Sequence, residues 1–351
     1  MRQTSALRGS KIRFFGFLLL GVISFFPVCA LAQGTPGTVF VDGDYSYTVN
    51  EDGYTVTLTA CPEIRADMTI PHVATDTKRT RYRVTNIADD VFQGNQTLES
   101  IEIGTNVQEL GATFKGCSNL TTVTDLQYGL SIKSMGEAFS QTAITRMDIP
   151  AECTTLQGTF KDCKALTEVY WYDSYGEYYM DKKTIGDYTF DGCEALTDFR
   201  LPSDVATIGK YAFRNCGITK MSFSVNVDKV DDYAFYDCSS LEKVIIYSSY
   251  PFTLGEHVFD GAAEKLSIEF LPYPTDPEKV VERYKKKPNW AVYADKFSYK
   301  STSGIESIMA DETGWSNYIY SLEGKLVSTD GDILHLPKGV YVKAGKKVIV
   351  P

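Results

Sequence analysis

The chain has 351 residues, of which 43% are hydrophobic and 23% charged, so it can form a packed core and does not have the composition of a disordered protein. Acidic residues outnumber basic ones by 45 to 35, and the net charge of −10 argues against binding to nucleic acid or to an anionic membrane surface. Eight cysteines are too few for a disulfide-rich scaffold of this length, and three histidines leave little material for histidine-based catalysis or metal binding.

The first 32 residues have the pattern of a secretory signal peptide. Basic residues precede an apolar run over 14–26, and small residues follow at positions 30 and 32, where a signal peptidase reads them. The apolar run is shorter than the ~20 residues that span a bilayer, and a lipoprotein signal at Cys29 lacks the small residue it needs just before it. We therefore expect cleavage before Gln33 and export of a chain that is still more acidic.

Residues 33–83 alternate Tyr, Val and Thr with polar residues, a pattern that predicts strands. We interpret this segment as an antiparallel, hairpin-like N-terminal β cap. Such a cap would cover the apolar, unpaired edge of the segment that follows.

Between residues 84 and 272 one unit is repeated eight times. Each copy contains a phenylalanine, and these phenylalanines are 21–25 residues apart except for one interval of 30. Apolar residues follow in a Leu-x-x-Leu-x-Leu pattern whose last positions alternate as in a strand. Because one copy cannot bury its apolar side alone, we predict a stacked solenoid of about eight rungs with short parallel strands, on the order of 40 Å long. The phenylalanines are Phe92, Phe114, Phe139, Phe160, Phe190, Phe213, Phe235 and Phe259.

Two departures from the repeat predict local irregularity. Repeats two to four are one residue shorter before the phenylalanine than the other repeats. Repeat two also has Asp125 where an apolar residue is expected.

Five cysteines share one position of the repeat, three residues after the phenylalanine. Small residues fill the same position in other copies, which is typical of a buried column, and cysteine packs as a small hydrophobe. Disulfides between rungs are disfavoured because the side chains would point in parallel, and the clustered pairs of metal sites do not occur. We therefore predict a structural cysteine ladder of free thiols, while the states of Cys61 and Cys153 stay open. The cysteine ladder comprises Cys117, Cys163, Cys193, Cys216 and Cys238.

The unit Ile-Gly-x-x-Ala-Phe-x-x-Cys-x-x-Leu-x-x-Ile-x-Ile resembles the BspA-like leucine-rich repeat of surface proteins from Bacteroidetes and some other microbes. The preceding β segments resemble the lead-in of such proteins, so the likeness covers roughly residues 40–272. This resemblance implies a β-rich leucine-rich repeat protein, without enzymatic activity, that mediates adhesion or protein recognition at a bacterial surface. The scaffold itself carries many binding roles.

After the last repeat we predict a helical cap over 273–299 and a small C-terminal β domain over 300–351. Asp276 and Pro277 are typical of a helix start, and Pro288 is expected to end the helix. The tail resembles the C-terminal β domains of the type IX secretion route, which implies sorting or outer-membrane attachment. A small β-sandwich without a sorting role is the alternative.

Strand residues that flank the central apolar position should point away from the core and form a polar, mixed-charge face, here called the ribbon. We expect the ribbon to contact an extracellular protein, with a merely soluble face as the alternative. Its candidate residues are Arg146, Asp148, Glu168, Tyr170, Asp198, Arg200, Lys220 and Lys243, with Ile245 beside the last of them.

The 30-residue interval contains an aromatic insertion. Trp171 falls at a core position, whereas Tyr172, Tyr175, Tyr178 and Tyr179 predict a contact site for a protein or a glycan. A short hairpin packed on neighbouring rungs is the alternative.

No phosphate loop, nucleophile elbow, zinc motif or calcium loop occurs in the sequence, so we expect no catalytic residues, no metal and no cofactor. Besides adhesion or recognition of a protein, two hypotheses stay open. The chain could be a glycan-binding accessory protein or a purely structural surface component.

Overall fold

The structure is a computed structural model that describes residues 33–124, 132–150, 153–171, 183–271 and 276–299, together with the backbone of four strands between residues 319 and 350. The expected signal peptide, Asp125 and the four tyrosines of the aromatic insertion lie outside these residues. Within the described ranges no helix has the length and apolar character of a membrane span.

The N-terminal segment forms a five-stranded sheet in the order β1-β2-β3-β6-β5. Side chains alternate between buried and partly exposed in β2, which explains the spacing of Tyr45, Tyr47 and Val49. The predicted antiparallel arrangement holds for all neighbours except β3 and β6, which are parallel. The strands are β1 (Val39–Asp42), β2 (Tyr45–Val49), β3 (Thr55–Ala60), β4 (Asp67–Thr69), β5 (Val73–Thr75) and β6 (Arg81–Ile87).

The solenoid begins before the first repeat phenylalanine. β4 does not join the N-terminal sheet but pairs in parallel with the first repeat strand, β7 (Ser100–Glu102). On the other side of the rung, Asn86 in β6 bridges to Glu109. The N-terminal sheet is therefore continuous with the solenoid, and β6 runs across the expected boundary at residue 83.

The predicted parallel solenoid is confirmed. On the ribbon side the strands are β7, β8 (Thr122–Thr124), β9 (Arg146–Ile149) and β10 (Glu168–Trp171), then β13 (Lys220–Phe223), β15 (Lys243–Ile246) and β17 (Ser267–Phe270). On the opposite side they are β11 (Lys183–Ile185), β12 (Val205–Ile208), β14 (Lys229–Val230) and β16 (Thr253–Leu254). Repeats two to four are one residue shorter. On this opposite side their described residues form no strand but only isolated β-bridges, at Glu109, Ser134 and Thr155.

The core is a continuous stack of the eight repeat phenylalanines, each 2% exposed or less. Centroids of consecutive rings are between 5.1 and 6.2 Å apart and nearly parallel. The residue two positions after each phenylalanine has a φ between +54° and +77°. Glycine fills that position in four copies, including Gly94 and Gly116, because it adopts the left-handed conformation without steric cost.

A buried ion pair also fixes the stacking of two rungs. Arg214 donates from Nε and Nη2 to the carboxylate of Asp191 on the preceding rung, at 2.8 and 2.7 Å, and Asp191 is 2% exposed at its side chain. The hydrogen bonds to Asp191 raise the pKa of the Arg214 guanidinium. A buried carboxylate needs such a partner, so this pair specifies which rungs meet.

The helical cap is present as predicted. Helix α1 (Pro277–Lys285) begins after Asp276, whose side chain accepts a hydrogen bond from the Glu278 amide. Helix α1 ends before Pro288, as predicted, and Pro288 begins a second short helix, α2 (Pro288–Ala291). This second helix places Trp290 against the last rung. The chain then adds β18 (Phe297–Tyr299) in parallel to β17.

A separate antiparallel sheet follows in the order β20-β19-β21-β22. It contains two hairpins, in which β19 pairs with β20 and β21 pairs with β22. Its strands are β19 (Ile319–Ser321), β20 (Leu326–Ser328), β21 (Gly339–Lys343) and β22 (Lys346–Val350).

Candidate functional site

Four ribbon residues contact one another on β9 and β10. The parallel register of these strands places Arg146 beside Glu168 and Asp148 beside Tyr170. The Arg146 guanidinium lies over the Tyr170 ring, 4.4 Å from its centroid, and hydrogen-bonds Asp148 at 3.1 Å. Glu168 lies 3.7 Å from the same guanidinium. We call these four residues the Arg146 patch.

The Arg146 patch combines a permanent cation with an exposed aromatic ring. The Asp148 hydrogen bond raises the pKa of the Arg146 guanidinium further above its ordinary value. A guanidinium is in any case charged throughout the physiological range. Tyr170 is 47% exposed, one of the few large hydrophobic side chains at the surface of the described chain. Arg and Tyr are enriched among the residues that dominate protein–protein binding energies.

The ribbon is interrupted at the fifth rung, which contradicts the prediction of a strand there. Asp198 and Arg200 are exposed, as predicted, but residues 196–200 form no strand. Within the described residues β10 pairs only with β9, and β13 pairs only with β15. Asp198 and Arg200 are therefore not held in register with the Arg146 patch.

Beyond the break, Lys220 and Lys243 are adjacent in register on β13 and β15 and both are partly exposed. Lys243 pairs with Glu269 at 2.7 Å, and the Glu269 side chain is only 7% exposed. Ile245, expected to point into solvent, is instead 2% exposed. The prediction was wrong because Ile245 lies between Ser222 and Glu269 in a sheet that continues on both sides, and Glu269 is itself buried there.

A shallow cavity of about 410 Å³ lies on this end of the ribbon. The four charged residues of its lining form two ion pairs with each other, Lys243–Glu269 and Lys265–Glu242, so their charges are neutralised. The hydroxyls of Ser267 and Ser298 meet at 2.8 Å, and Tyr299 completes the lining. Such a lining suits polar contacts with a larger partner.

Of the aromatic insertion, the structure describes only its start. Trp171 is half-buried and packs against the core, with the Lys183 ammonium 5.9 Å from its ring centroid. The contact residues predicted to follow, Tyr172, Tyr175, Tyr178 and Tyr179, are not among the described residues.

All five members of the cysteine ladder are buried. Each Sγ donates to the carbonyl of the phenylalanine on the preceding rung, at 2.9–3.2 Å. Burial raises the pKa of the Cys117 and Cys163 thiols to about 11. Cys153 is buried and Cys61 half-buried, and neither is in a disulfide with another described cysteine. The five ladder thiols join successive rungs and are buried away from solvent.

Sequence reasoning missed a second surface feature, a stack of aromatic rings at the turn before the phenylalanine. Tyr188, Tyr211, Tyr233 and His257 stack with centroid distances of 5.0, 5.0 and 5.1 Å. We call these four residues the tyrosine column. The signal was available, because Asp-Tyr-Thr-Phe, Lys-Tyr-Ala-Phe, Asp-Tyr-Ala-Phe and Glu-His-Val-Phe recur at the same position of consecutive repeats.

The tyrosine column has an unfavourable backbone. Its four residues have φ between +56° and +58°, in the left-handed region. That conformation costs a side-chain-bearing residue about 1–2 kcal/mol. Stacking contributes about 0.5–1.5 kcal/mol per aromatic pair. The two effects nearly cancel, so stability alone does not favour tyrosine over glycine at this position. Another repeat has a glycine there, Gly158, with a φ of +64°.

The family model described as "BspA type Leucine rich repeat region" matches residues 85–178 and 180–276 in six copies. A comparison with curated proteins finds no match.

Several solved structures are similar to the chain. A leucine-rich cell surface protein from Faecalibacterium prausnitzii is 24% identical, with 62% of this chain and 56% of that chain covered and a TM-score of 0.48. A leucine-rich repeat protein from Bacteroides ovatus is 21% identical, with 66% and 71% covered and a TM-score of 0.40. The pneumococcal vaccine antigen PcpA is 13% identical, with 76% and 98% covered and a TM-score of 0.36. The chain thus spans little more than half the length of the Faecalibacterium protein.

Proposed function

The chain belongs to the BspA-type leucine-rich repeat family, and we propose that it is an exported, non-enzymatic protein that binds another protein at the bacterial surface through its ribbon. Export is supported by the signal-peptide pattern of residues 1–32. Attachment at the surface is supported by the resemblance of the C-terminal β domain to sorting domains.

The observation that carries the proposal is the Arg146 patch. It presents an aromatic ring, a guanidinium and two carboxylates on adjacent parallel strands, where the sheet fixes their relative positions. Exposed ion pairs contribute little to stability, about 0–1 kcal/mol, so these side chains are poorly explained as structural. They can exchange their mutual contacts for contacts with a partner at small cost.

The test is binding of the full chain to an array of purified extracellular matrix proteins, with a glycan array in parallel. For a matrix protein that binds, Tyr170→Ser is expected to weaken the affinity at least about tenfold, as truncation of an interface tyrosine does. The matched control is Tyr250→Ser, because Tyr250 is 71% exposed and also carries a guanidinium, that of Arg283, over its ring at 4.9 Å.

A loss that is equal in Tyr170→Ser and Tyr250→Ser, or absent from both, would contradict binding through the ribbon. Binding on the glycan array alone would favour the accessory-protein hypothesis. No binding on either array would favour a structural component.

A further inference from the structure

The tyrosine column lies on a different face of each rung from the ribbon. Its residues occupy the turn two positions before the repeat phenylalanine, whereas the ribbon strands begin seven or eight residues after it. A ligand on the column would therefore not compete directly with a ligand on the ribbon. The tyrosines are half-buried and His257 is exposed.

The column presents hydroxyls and ring edges to solvent. Consecutive rings stack face to face with interplanar angles of 13–25°, so the two inner rings, Tyr211 and Tyr233, have a neighbour on both sides. The hydroxyls of Tyr188, Tyr211 and Tyr233 make no hydrogen bond within the described part of the chain, so they are free to donate to a ligand. They form a row along the solenoid axis with one donor on each rung.

Cations and a further ring extend this surface. The Lys161 ammonium lies 5.3 Å from the Tyr188 centroid, and the Arg214 guanidinium lies 4.9 Å from that of Tyr211. Tyr236 packs edge-on against Tyr233 at 5.5 Å. The result is a patch of Tyr and Arg side chains in mutual contact, a composition enriched where proteins bind each other.

We propose that the tyrosine column docks a proline-rich peptide segment in the polyproline II conformation. A polyproline II helix has three residues per turn and rises about 3.1 Å per residue, so equivalent carbonyls recur about every 9.3 Å. Tyrosines on alternate rungs of the column are about twice the 5.0 Å ring spacing apart, which matches this repeat. The peptide makes no internal hydrogen bonds, so its carbonyls can accept from the tyrosine hydroxyls.

A glycan is the less favoured ligand for this surface. Sugar rings pack on open aromatic faces, and the two inner rings of the column have a stacked neighbour on both sides. A peptide carbonyl needs only a donor at the correct spacing. The observations therefore favour the peptide, and a glycan becomes an outcome of the test.

The experiment is calorimetric titration of the full chain with a synthetic twelve-residue polyproline peptide, at concentrations up to about 1 mM, the weak end of specific recognition. A Gly-Ser peptide of equal length and a neutral oligosaccharide are the comparison probes. We expect binding of the polyproline peptide alone. No binding of that peptide, or binding of the oligosaccharide in its place, would overturn the proposal.

Three variants locate the site. Tyr233→Phe keeps the stacked ring but removes one of the two hydroxyls at the matching spacing, and we expect the affinity to fall about three- to tenfold, the value of one hydrogen bond. Tyr233→Gly removes the ring at a φ of +58° that glycine adopts freely, so we expect the peptide affinity to be lost while the thermal unfolding midpoint is kept.

Tyr170→Ser on the ribbon is expected to leave peptide binding unchanged. This variant separates the two proposals, because it tests the ribbon without altering the column. Equal loss of peptide affinity in Tyr170→Ser and Tyr233→Gly would overturn the assignment to the column.

Discussion

At the scale of single residues, the cysteine ladder shows how burial keeps five thiols out of disulfides. Cys163 is fully buried, its Sγ donates to the Phe139 carbonyl at 2.9 Å and lies 3.4 Å from the Thr142 hydroxyl. The thiolate is the reactive species, and burial disfavours it. Oxidation and labelling of such a thiol therefore require the rung to open.

The raised pKa of Cys163, about 11 against an ordinary value of 9.0, predicts a pH dependence of stability. The folded state favours the neutral thiol, so this contribution is complete below pH 9 and is lost as the pH rises toward 11. Between pH 8 and pH 10, the free energy of unfolding of the native chain should fall about 1 kcal/mol more than that of Cys163→Ala. Urea unfolding at the two pH values measures this difference.

Tyrosines and lysines also titrate in this range, but they are common to both proteins and cancel in the comparison. Parallel pH profiles for the native chain and Cys163→Ala would contradict the prediction. So would rapid labelling of all thiols in the folded chain at pH 8.

At the scale of elements, the period of the repeat was sufficient to predict the stacked rungs and their parallel strands. These depend on local pattern, because each rung repeats the same apolar spacing and contacts only its neighbours. The start of α1 at Pro277 could also be predicted from adjacent residues, because the preceding residue, Asp276, caps the helix.

The errors arose where neighbouring elements decide the outcome. The alternation of its strand predicts that Ile245 points into solvent. It is buried because the next strand pairs beside it and places Glu269 next to it. The parallel pairing of β3 with β6 depends on how distant segments meet, which strand periodicity does not encode. The tyrosine column was missed because the repeat was defined by its apolar positions and its cysteines, and tyrosine is rare at the left-handed φ of this turn.

The helical cap makes a prediction about the last rung. Trp290 is 1% exposed, donates from Nε1 to the Phe252 carbonyl at 3.0 Å and packs edge-on against Phe252 at 5.1 Å. Trp290→Ala should lower the free energy of unfolding by about 3–5 kcal/mol, the usual cost of deleting a large buried ring. Urea unfolding measures this loss.

Val292→Ala is the matched control, because Val292 is two residues away and 69% exposed. Its effect should stay within about 0.5 kcal/mol. Equal effects of the two substitutions would contradict a capping role for Trp290.

At the scale of the whole molecule, the contact between rungs four and five is the weakest in the described solenoid. On the ribbon side no strand pairing crosses it, and on the opposite side the bridges end at Thr155 while β11 pairs only with β12. The contacts that do cross include the phenylalanine stack, with Phe160 and Phe190 at 5.4 Å, and three backbone hydrogen bonds at the turn. Side chains add the hydrogen bond from Cys193 to the Phe160 carbonyl and the Lys164–Glu194 ion pair. The column of core residues is continuous, but the hydrogen-bonded sheets are not.

In a solenoid, stability is close to a sum of rung and nearest-neighbour terms, so a weak contact divides the array into cooperative blocks. We expect the rungs before and after this contact to open separately. Phe235→Ala removes a ring stacked on Phe213 at 5.1 Å and on Phe259 at 5.7 Å, within the second block. It should accelerate amide hydrogen exchange in β12–β15 and leave the exchange of β9 and β10 unchanged.

Phe114→Ala, placed between Phe92 and Phe139 in the first block, is the reciprocal variant and should accelerate exchange in β7–β10 while leaving that of β13–β17 unchanged. Hydrogen exchange resolved by mass spectrometry of peptic peptides measures both. If either substitution accelerated exchange equally in all rungs, the solenoid would be a single cooperative unit and the continuous phenylalanine stack would outweigh the break in the sheets. If the blocks respond separately, the Arg146 patch belongs to the first block and the tyrosine column to the second, so partners bound at the two surfaces would stabilise different parts of the chain.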